Sequence, residues 1–203
     1  MDQKRILNQL KELKKNSGPM RLAAEEWKNP YQILISTILS ARTRDETTIP
    51  VSAKLFKKYS TIKKLAVAKI KDVEKIIFHV NFYRNKSKYI ISCAKMLVKN
   101  YKSKVPKEID ELVKLPGVGR KTSNVFLAEL GEAAIGVDTH VSYISQKIGW
   151  TKNKDQKKIE MDLKKLFPKK YWKKVNSILV RFGKTHRSKR KKDALIEEIK
   201  KIK

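Results

Sequence analysis

The chain has very little cysteine, which excludes several kinds of site. Cys93 is the only cysteine among 203 residues, so no internal disulfide can form and no metal or iron–sulfur site can be built from cysteines alone. No segment approaches the ~18 consecutive apolar residues of a membrane helix, and the start MDQKRILNQL lacks the apolar core of a secretory signal. We therefore expect an intracellular protein that does not bind a membrane.

Acidic residues are also scarce, and the resulting charge suggests the kind of partner. Lys and Arg number 49 against 20 Asp and Glu, which gives a formal net charge of +29. Such a surplus does not determine a fold, but its positive field favours a polyanion. Nucleic acid is the first candidate, although a lysine-rich surface can also be simply a solvated one.

Apolar residues recur at helical spacing along most of the chain. Ile6, Leu10 and Leu13 follow this spacing near the start, and Ile76 and Val80 follow it further on. Apolar residues three or four positions apart line one face of an α-helix, whereas a strand would show strict alternation. The pattern therefore predicts an all-α protein of about ten helices.

Glycine is a third scarce residue, and two of the seven glycines lie in one short run. Residues 115–124 read LPGVGRKTSN, with Gly117 and Gly119 on either side of Val118. The pattern predicts a helix over residues 108–115, a tight reversal and a second helix over residues 121–130. Glycines in a reversal permit positive φ and close approach of another backbone. The N–H groups that start the second helix then favour an oxyanion such as a DNA phosphate.

Two other interpretations of LPGVGRKTSN compete with this one. A phosphate-binding P-loop requires glycine directly before the lysine, and Arg120 stands there, so a P-loop is excluded. The other alternative is a plain turn between two packed helices, with no ligand, and the sequence pattern leaves it open.

Four segments together resemble the endonuclease III family of DNA glycosylases. LPGVGRKTSN resembles the helix-hairpin-helix of that family, and GVDTHV at 136–141 resembles its distal aspartate motif. ILSARTRDETT at 38–48 resembles its lesion-edge segment, and FYRNKSKYI at 82–90 resembles a further loop that enters a helix. The matches occur in the expected order over most of residues 30–183.

The resemblance implies a particular all-α architecture. It is the two-lobed helix-hairpin-helix glycosylase fold, with the active-site cleft between the lobes. One lobe would be a six-helix domain at 22–134 that contains the helix-hairpin-helix at about 112–130. The other would be a second helical domain built from both termini, residues 1–21 and 135–203.

The resemblance also implies a DNA base-excision repair enzyme, a bifunctional glycosylase with abasic-site (AP) lyase activity. Such an enzyme would act as a monomer on double-stranded DNA that contains a damaged base or an abasic site, and it would remove oxidised pyrimidines. Lys121 would attack C1′ and form the Schiff base through which β-elimination cleaves the strand. The ordinary pKa of lysine is about 10.4, so we expect the site to lower that of Lys121.

Asp138 would be the second catalytic residue. Near C1′, its carboxylate would stabilise positive charge on the sugar as the base departs and would assist proton transfer. Asp138 or Thr139 could equally be a helix cap, and a capping carboxylate could serve both purposes. We expect His140 to be structural.

The remaining site residues implied by the resemblance contact DNA. Arg42 and Phe82 would insert into the vacated base stack; Phe82 could instead be an ordinary core aromatic. Arg42 stands where many relatives have glutamine, and Asn81 where glycine is common, so the opposite-base preference can differ. The phosphate-binding residues would be Pro116, Gly117, Val118, Gly119 and Arg120 in the hairpin, with Arg187, Lys189 and Arg190 in the C-terminal tail.

The clearest departure from the family concerns its 4Fe–4S cluster. Most members hold this cluster with four cysteines, and the corresponding positions here fall at Arg187, Ala194, Glu197 and Lys203. None of these side chains can act as a thiolate ligand. We therefore expect neither an iron–sulfur cluster nor any other metal.

The basic tail has an apolar periodicity that could compensate for the cluster. From Gly183 onwards it holds nine Lys or Arg against three acidic residues. Leu195, Ile199 and Ile202 follow i, i+4, i+7 spacing, which predicts a helix with one apolar face. We hypothesise that this face packs against the first helix in place of the cluster.

Three alternatives to the bifunctional enzyme remain. The protein could act mainly as an AP lyase, or as a glycosylase for uracil or another deaminated base. In a different class, it could be a non-catalytic DNA-binding protein that uses the hairpin only to hold phosphate, since its charge would be the same.

Overall fold

The computed structural model describes residues 2–202, and all regular secondary structure in that range is helical. The all-α prediction is therefore confirmed. The α-helices are α1 (Gln3–Lys15), α2 (Pro30–Ser40), α3 (Asp45–Lys58), α4 (Ile62–Ala66), α5 (Ile70–Ile77), α6 (Tyr83–Asn100), α7 (Ile109–Leu112), α8 (Arg120–Glu129), α9 (Thr139–Lys147), α10 (Gln156–Leu166), α11 (Trp172–Thr185) and α12 (Lys189–Lys200). Helices α4 and α7 span only five and four residues, too few for periodicity to reveal.

Several helix starts follow from local sequence. Asn29 caps α2 by accepting from the N–H of Tyr31, and Pro30 occupies the first helical position, where its missing N–H is no loss. The Asp155 side chain likewise caps α10 by accepting from the backbone N–H of Lys158. Within residues 2–202, no helix combines the length and the apolar character needed to cross a bilayer.

The chain divides into two compact units. One spans Arg21–Leu130 and contains α2 to α8. Its central element is α2, in which Leu34, Ile35 and Leu39 are completely buried. Helix α2 packs against α3, α6 and α8, and a helix with neighbours on several sides needs apolar residues nearly all round. This packing positions the loop after α2 and the start of α8.

The other unit combines the N-terminal segment up to Met20 with the chain from Gly131 onwards. Its helix α11 packs against α1 and α9, and α12 packs against the same two helices. The Arg5 guanidinium and the Gln9 amide of α1 donate to the carbonyl oxygen of Lys200, at 2.8 and 3.2 Å. Gln9 also accepts from the indole N–H of Trp150 at 2.8 Å, so polar contacts join both ends of the chain.

The apolar face of α12 differs from the expected one. The helix does pack against α1, but its fully buried side chains are Ile196 and Ile199, and Leu195 is only half-buried. Ile202, predicted on the same helix, is half-buried and lies beyond the end of α12 at Lys200. Adjacent residues on a helix lie about 100° apart. A pattern of apolar residues therefore defines a broad face, and only the position of the neighbouring helices selects its centre.

Candidate active site

The hairpin between α7 and α8 is a tight reversal, and its two glycines differ in whether a side chain could be accommodated. Gly117 has φ +78°, and a Cβ there would lie 2.8 Å from the Cβ of Tyr89 on α6, so a side chain is excluded by both conformation and space. Gly119 has φ −95°, with nothing within 4 Å of an added Cβ. Between them, Val118 is buried and anchors the turn to the unit.

Helix α8 begins directly after the hairpin, one residue earlier than predicted. Its N-cap is Gly119, which has no side chain with which to cap the helix. The carbonyl of Gly119 accepts from the N–H of Ser123 at 2.9 Å and from its hydroxyl at 3.1 Å. A helix start without a capping side chain presents its positive dipole end to an external anion.

Lys121 is the second residue of α8 and is half-buried. The three residues after it, Thr122 to Asn124, are buried against the unit. Lys121 therefore lies in the first turn of a helix whose next residues are held by packing. The structure brings it together with the predicted hairpin residues, which immediately precede it.

Asp138 lies in the other unit, at the start of α9. It is the N-cap of that helix, and its Oδ1 accepts from the N–H of Val141 at 2.9 Å. Val137 before it is buried, and the side-chain amide of Asn176 donates to the carbonyl of Gly136 at 2.5 Å. The half-buried carboxylate is thus held by its helix and by the segment that leads into it.

His140 is packed against a glycine that sequence reasoning missed. A Cβ at Gly183 of α11 would overlap the His140 ring, so only glycine lets these helices approach so closely. Burial lowers the pKa of His140, with an opposing contribution from the Asp138 carboxylate. A neutral, packed imidazole agrees with the structural role expected for His140.

Arg42 and Phe82 come from separate loops, and the structure places them side by side. Arg42 follows α2 and Phe82 precedes α6, and both side chains are exposed. The guanidinium carbon of Arg42 lies 5.8 Å from the centroid of the Phe82 ring. Both residues have left-handed backbone, with φ +55° and +60°, a strained state for residues other than glycine. Phe82 is not a core aromatic, since 57% of its surface is exposed.

Asn81 connects these two loops, which its sequence position did not indicate. Its side-chain amide donates to the carbonyl of Arg42 at 2.5 Å, and its backbone N–H donates to the Thr43 hydroxyl at 3.2 Å. Lys86 of α6 also reaches this place and is buried. Sequence reasoning missed Lys86 because lysine is abundant and most often exposed.

The predicted tail residues Arg187, Lys189 and Arg190 are all exposed around the start of α12. Ser188 caps this helix and accepts from the N–H of Lys191 at 3.5 Å. One turn further on, Asp193 accepts a hydrogen bond from the Tyr143 hydroxyl of α9. This hydrogen bond lowers the pKa of Asp193, while burial and the same bond raise that of Tyr143 to about 12.

The sequence matches known DNA repair proteins over most of its length. Residues 35–169 match the model of the HhH-GPD superfamily base excision DNA repair proteins. The chain is 44% identical over 156 residues to endonuclease III of Thermotoga maritima, which covers 76% of this chain and 73% of that protein. It is 32% identical over 199 residues to endonuclease III of Rickettsia felis, 98% of this chain and 93% of that protein. This chain belongs to the endonuclease III family.

Solved structures agree with this assignment. A trapped endonuclease III–DNA covalent intermediate is similar with a TM-score of 0.83 and 33% identity, over 93% of this chain and 89% of that one. A non-covalent endonuclease III–DNA complex gives the same TM-score at 32% identity. The family and the fold predicted from the four motifs are therefore confirmed.

The side chains at the family's cluster positions do not fit an iron–sulfur cluster. Arg187, Ala194 and Glu197 carry no thiolate, and Lys203 lies outside the described residues. Cys93 is buried in α6, in the unit that does not contain the tail. Among residues 2–202, no three His, Cys, Asp or Glu side chains are grouped so that they could hold a metal ion.

Proposed function

We propose that this endonuclease III family member is a bifunctional DNA glycosylase and AP lyase of base-excision repair, with Lys121 as its nucleophile. One observation carries the assignment of Lys121: it lies in the first turn of α8, directly after a hairpin in which Gly117 is sterically required. The charge of +29 favours DNA as the partner.

The first step is binding of duplex DNA and extrusion of one nucleotide. A base inside a duplex cannot be reached, and flipping it out costs a few kcal/mol, less for a damaged or mispaired base. The hairpin and the positive end of α8 would bind a backbone phosphate close to the extruded nucleotide. Arg42 and Phe82 would fill the gap that it leaves.

The second step exchanges one bond at C1′ for another. The neutral amine of Lys121 attacks C1′ as the glycosidic bond breaks, and the base leaves with the bonding electron pair and gains a proton. Opening of the sugar gives an iminium ion between C1′ and Nζ. Loss of a proton from C2′ then expels the 3′ phosphate and cleaves the strand. A hydroxyl nucleophile could not follow this route, because it cannot form an iminium ion.

Asp138 would assist the bond exchange electrostatically. A carboxylate near C1′ stabilises the positive charge that develops on the sugar, and it can accept the proton released by the attacking amine. The hydrogen bond from Val141 to Oδ1 supports this role, because it holds the carboxylate without neutralising its charge. A preorganised charge needs no rearrangement at the moment of reaction.

We further propose that the enzyme removes oxidised pyrimidines, acts as an intracellular monomer and works without an iron–sulfur cluster. The single cysteine supports the last point. Purified protein should therefore show no absorption band at about 400 nm, where iron–sulfur clusters absorb. Such a band, with iron bound in proportion, would contradict this part of the proposal.

Borohydride trapping tests the nucleophile. Sodium borohydride reduces an iminium to a stable amine, so wild-type enzyme incubated with abasic duplex should form a covalent adduct. Lys121→Ala should abolish the adduct. Asp138→Asn should slow formation of the adduct without changing its chemical structure. Lys114→Ala is a matched control, because Lys114 precedes the same hairpin, is exposed and pairs with Glu111 at 2.5 Å. Undiminished trapping by Lys121→Ala would remove the assignment.

A panel of duplexes distinguishes the alternative activities. The substrates are duplexes that carry thymine glycol, dihydrouracil, uracil or an abasic site. We expect excision of the two oxidised or reduced pyrimidines and cleavage of the abasic strand. Cleavage of the abasic duplex alone would identify an AP lyase, excision of uracil alone a deaminated-base glycosylase, and binding without reaction a DNA-binding protein.

A further inference from the structure

Lys86 is a buried lysine that the proposed mechanism does not use. It lies in the first turn of α6, and only 5% of its surface is exposed. Its ammonium donates to the carbonyls of Leu39 and Ala41, at 2.7 and 2.5 Å, and to the Thr43 hydroxyl at 3.1 Å. A buried charge is stable only if it is paired or fully hydrogen-bonded, and here three acceptors match three N–H groups.

The acceptors lie where a positive charge is favourable. Leu39 is in the last turn of α2 and Ala41 is its C-cap, and the carbonyls at a helix C-terminus carry partial negative charge. Burial lowers the pKa of Lys86 to about 8, so about nine in ten of these amines are still protonated at pH 7. At neutral pH, Lys86 is therefore a cation bound to the end of α2.

The Thr43 hydroxyl extends this contact to the second loop. It accepts from the Lys86 ammonium and also from the backbone N–H of Asn81 at 3.2 Å. Asn81 in turn donates from its side chain to the carbonyl of Arg42 at 2.5 Å. A hydroxyl accepts at most two hydrogen bonds, and both are used here to join the loop after α2 to the loop before α6.

These two loops carry Arg42 and Phe82, which we call the wedge. Both wedge residues have left-handed backbone, which costs on the order of 1–3 kcal/mol for a residue other than glycine and persists only where the surroundings enforce it. The hydrogen bonds of Lys86, Thr43 and Asn81 supply that constraint on one side. On the other side the two exposed wedge side chains contact each other, with the guanidinium carbon of Arg42 5.8 Å from the centroid of the Phe82 ring.

We propose that Lys86 is a positioning residue for base extrusion: it holds the loops of Arg42 and Phe82 together so that both side chains enter the duplex as one wedge. The inference rests on the proposed function, in which this pair fills the gap left by the flipped nucleotide. It assigns Lys86 no contact with DNA and no part in the bond exchange at C1′.

The proposal predicts a selective defect. Lys86→Met keeps a similar volume but removes all three hydrogen bonds. Under single-turnover conditions, excision of thymine glycol should fall about ten- to a hundred-fold, the range expected when reacting groups are misplaced by about 1 Å. Cleavage of a duplex with a preformed abasic site should stay within roughly three-fold of wild type, because such a site has no damaged base to extrude.

Controls separate positioning from loss of stability. Lys95→Met changes an exposed lysine on the same helix and should leave both rates unchanged. Thr43→Val removes the shared acceptor and should reproduce the selective defect, so the proposal stays testable if Lys86→Met does not fold. All rates are measured well below each variant's melting temperature.

A readout without catalysis keeps this test independent of the proposed chemistry. In a duplex with a tetrahydrofuran abasic analogue, 2-aminopurine in the opposite strand should brighten when the wedge displaces it, and Lys86→Met should bind the duplex with a weaker increase. Equal loss of excision and abasic cleavage in Lys86→Met and Thr43→Val, or no loss of either, would overturn the role of Lys86. If the wild-type enzyme brightens 2-aminopurine but forms no borohydride adduct, the assignment of Lys121 as nucleophile is refuted, whereas the proposed role of Lys86 still stands.

Discussion

The helices that carry the two proposed catalytic residues begin in opposite ways. Helix α8 starts at Gly119, which has no side chain to cap it, whereas α9 starts at Asp138, which caps the helix with its own carboxylate. A helix start without a capping side chain suits an anion from outside. A start capped from within instead holds its capping group rigidly. In the proposed function, the same feature of α-helices would thus serve ligand binding in one unit and orientation of a side chain in the other.

The largest effect on activity should come from a substitution that removes the charge of Asp138 but keeps an oxygen that can cap α9. Asparagine caps helices about as well as aspartate but has no charge. We expect Asp138→Asn to lower base excision by about 10²–10⁴-fold, as for loss of an acid–base group, with little change in melting temperature. Asp138→Ala should lose a comparable amount of activity and also about 1 kcal/mol of stability. Single-turnover kinetics and thermal unfolding measure these effects, and an active Asp138→Asn enzyme would show that capping is the only role.

The two hairpin glycines should respond differently to the same substitution. At Gly117, alanine would adopt φ +78° and place its Cβ 2.8 Å from that of Tyr89. We therefore expect the free energy of unfolding to fall by about 1–3 kcal/mol. A similar loss in the free energy of DNA binding would lower the affinity at least tenfold. Gly119→Ala meets nothing within 4 Å and should unfold at nearly the wild-type temperature. Equal effects at the two positions would contradict the steric argument.

The start of α12 offers a third case, in which basic side chains accompany a serine cap. Because Ser188 already accepts from Lys191, we expect phosphates here to be bound by Arg187, Lys189 and Arg190 rather than by the helix end. Replacing all three with glutamine should lower the slope of log affinity against log salt by up to about 2.7, at about 0.9 per contact. Fluorescence anisotropy over a salt series measures this slope, and an unchanged slope would remove the tail from the interface. The preference among lesions should not change.

The smallest effect should come from adding a cap to α8. Gly119→Ser introduces a hydroxyl at an N-cap with φ −95° and ψ 175°, a conformation that suits capping. Stability should rise by a few tenths of a kcal/mol, while DNA affinity falls a few-fold because the hydroxyl competes with phosphate for the helix start. Comparing Gly119→Ser with Gly119→Ala isolates the hydroxyl. Tighter DNA binding by the serine variant would contradict an external anion at this position.

Local features could be predicted from sequence more completely than contacts. The LPGVGRKTSN run predicted the reversal and the following helix to within one residue, since glycine, proline and helix-start preferences act over a few positions. Helix α7 proved shorter than the predicted segment, ending at Leu112. On α12 the pattern marked Leu195 and Ile199, and Ile199 is buried, but in place of Leu195 its neighbour Ile196 is buried. Burial depends on where neighbouring helices lie, and no local preference encodes that.

The sequence by itself determined the helical class, the family and the candidate catalytic residues. Each of these depends on spacing or on short motifs, which can be recognised along the sequence without knowledge of the fold. Only the tertiary structure decided that Arg42 lies against Phe82, that Asn81 joins their loops and that a buried lysine, Lys86, binds the end of α2. These contacts join residues about 40 positions apart. They exist because packing of α2 against α6 brings two strained loops to one place, and no pattern along the chain specifies that geometry.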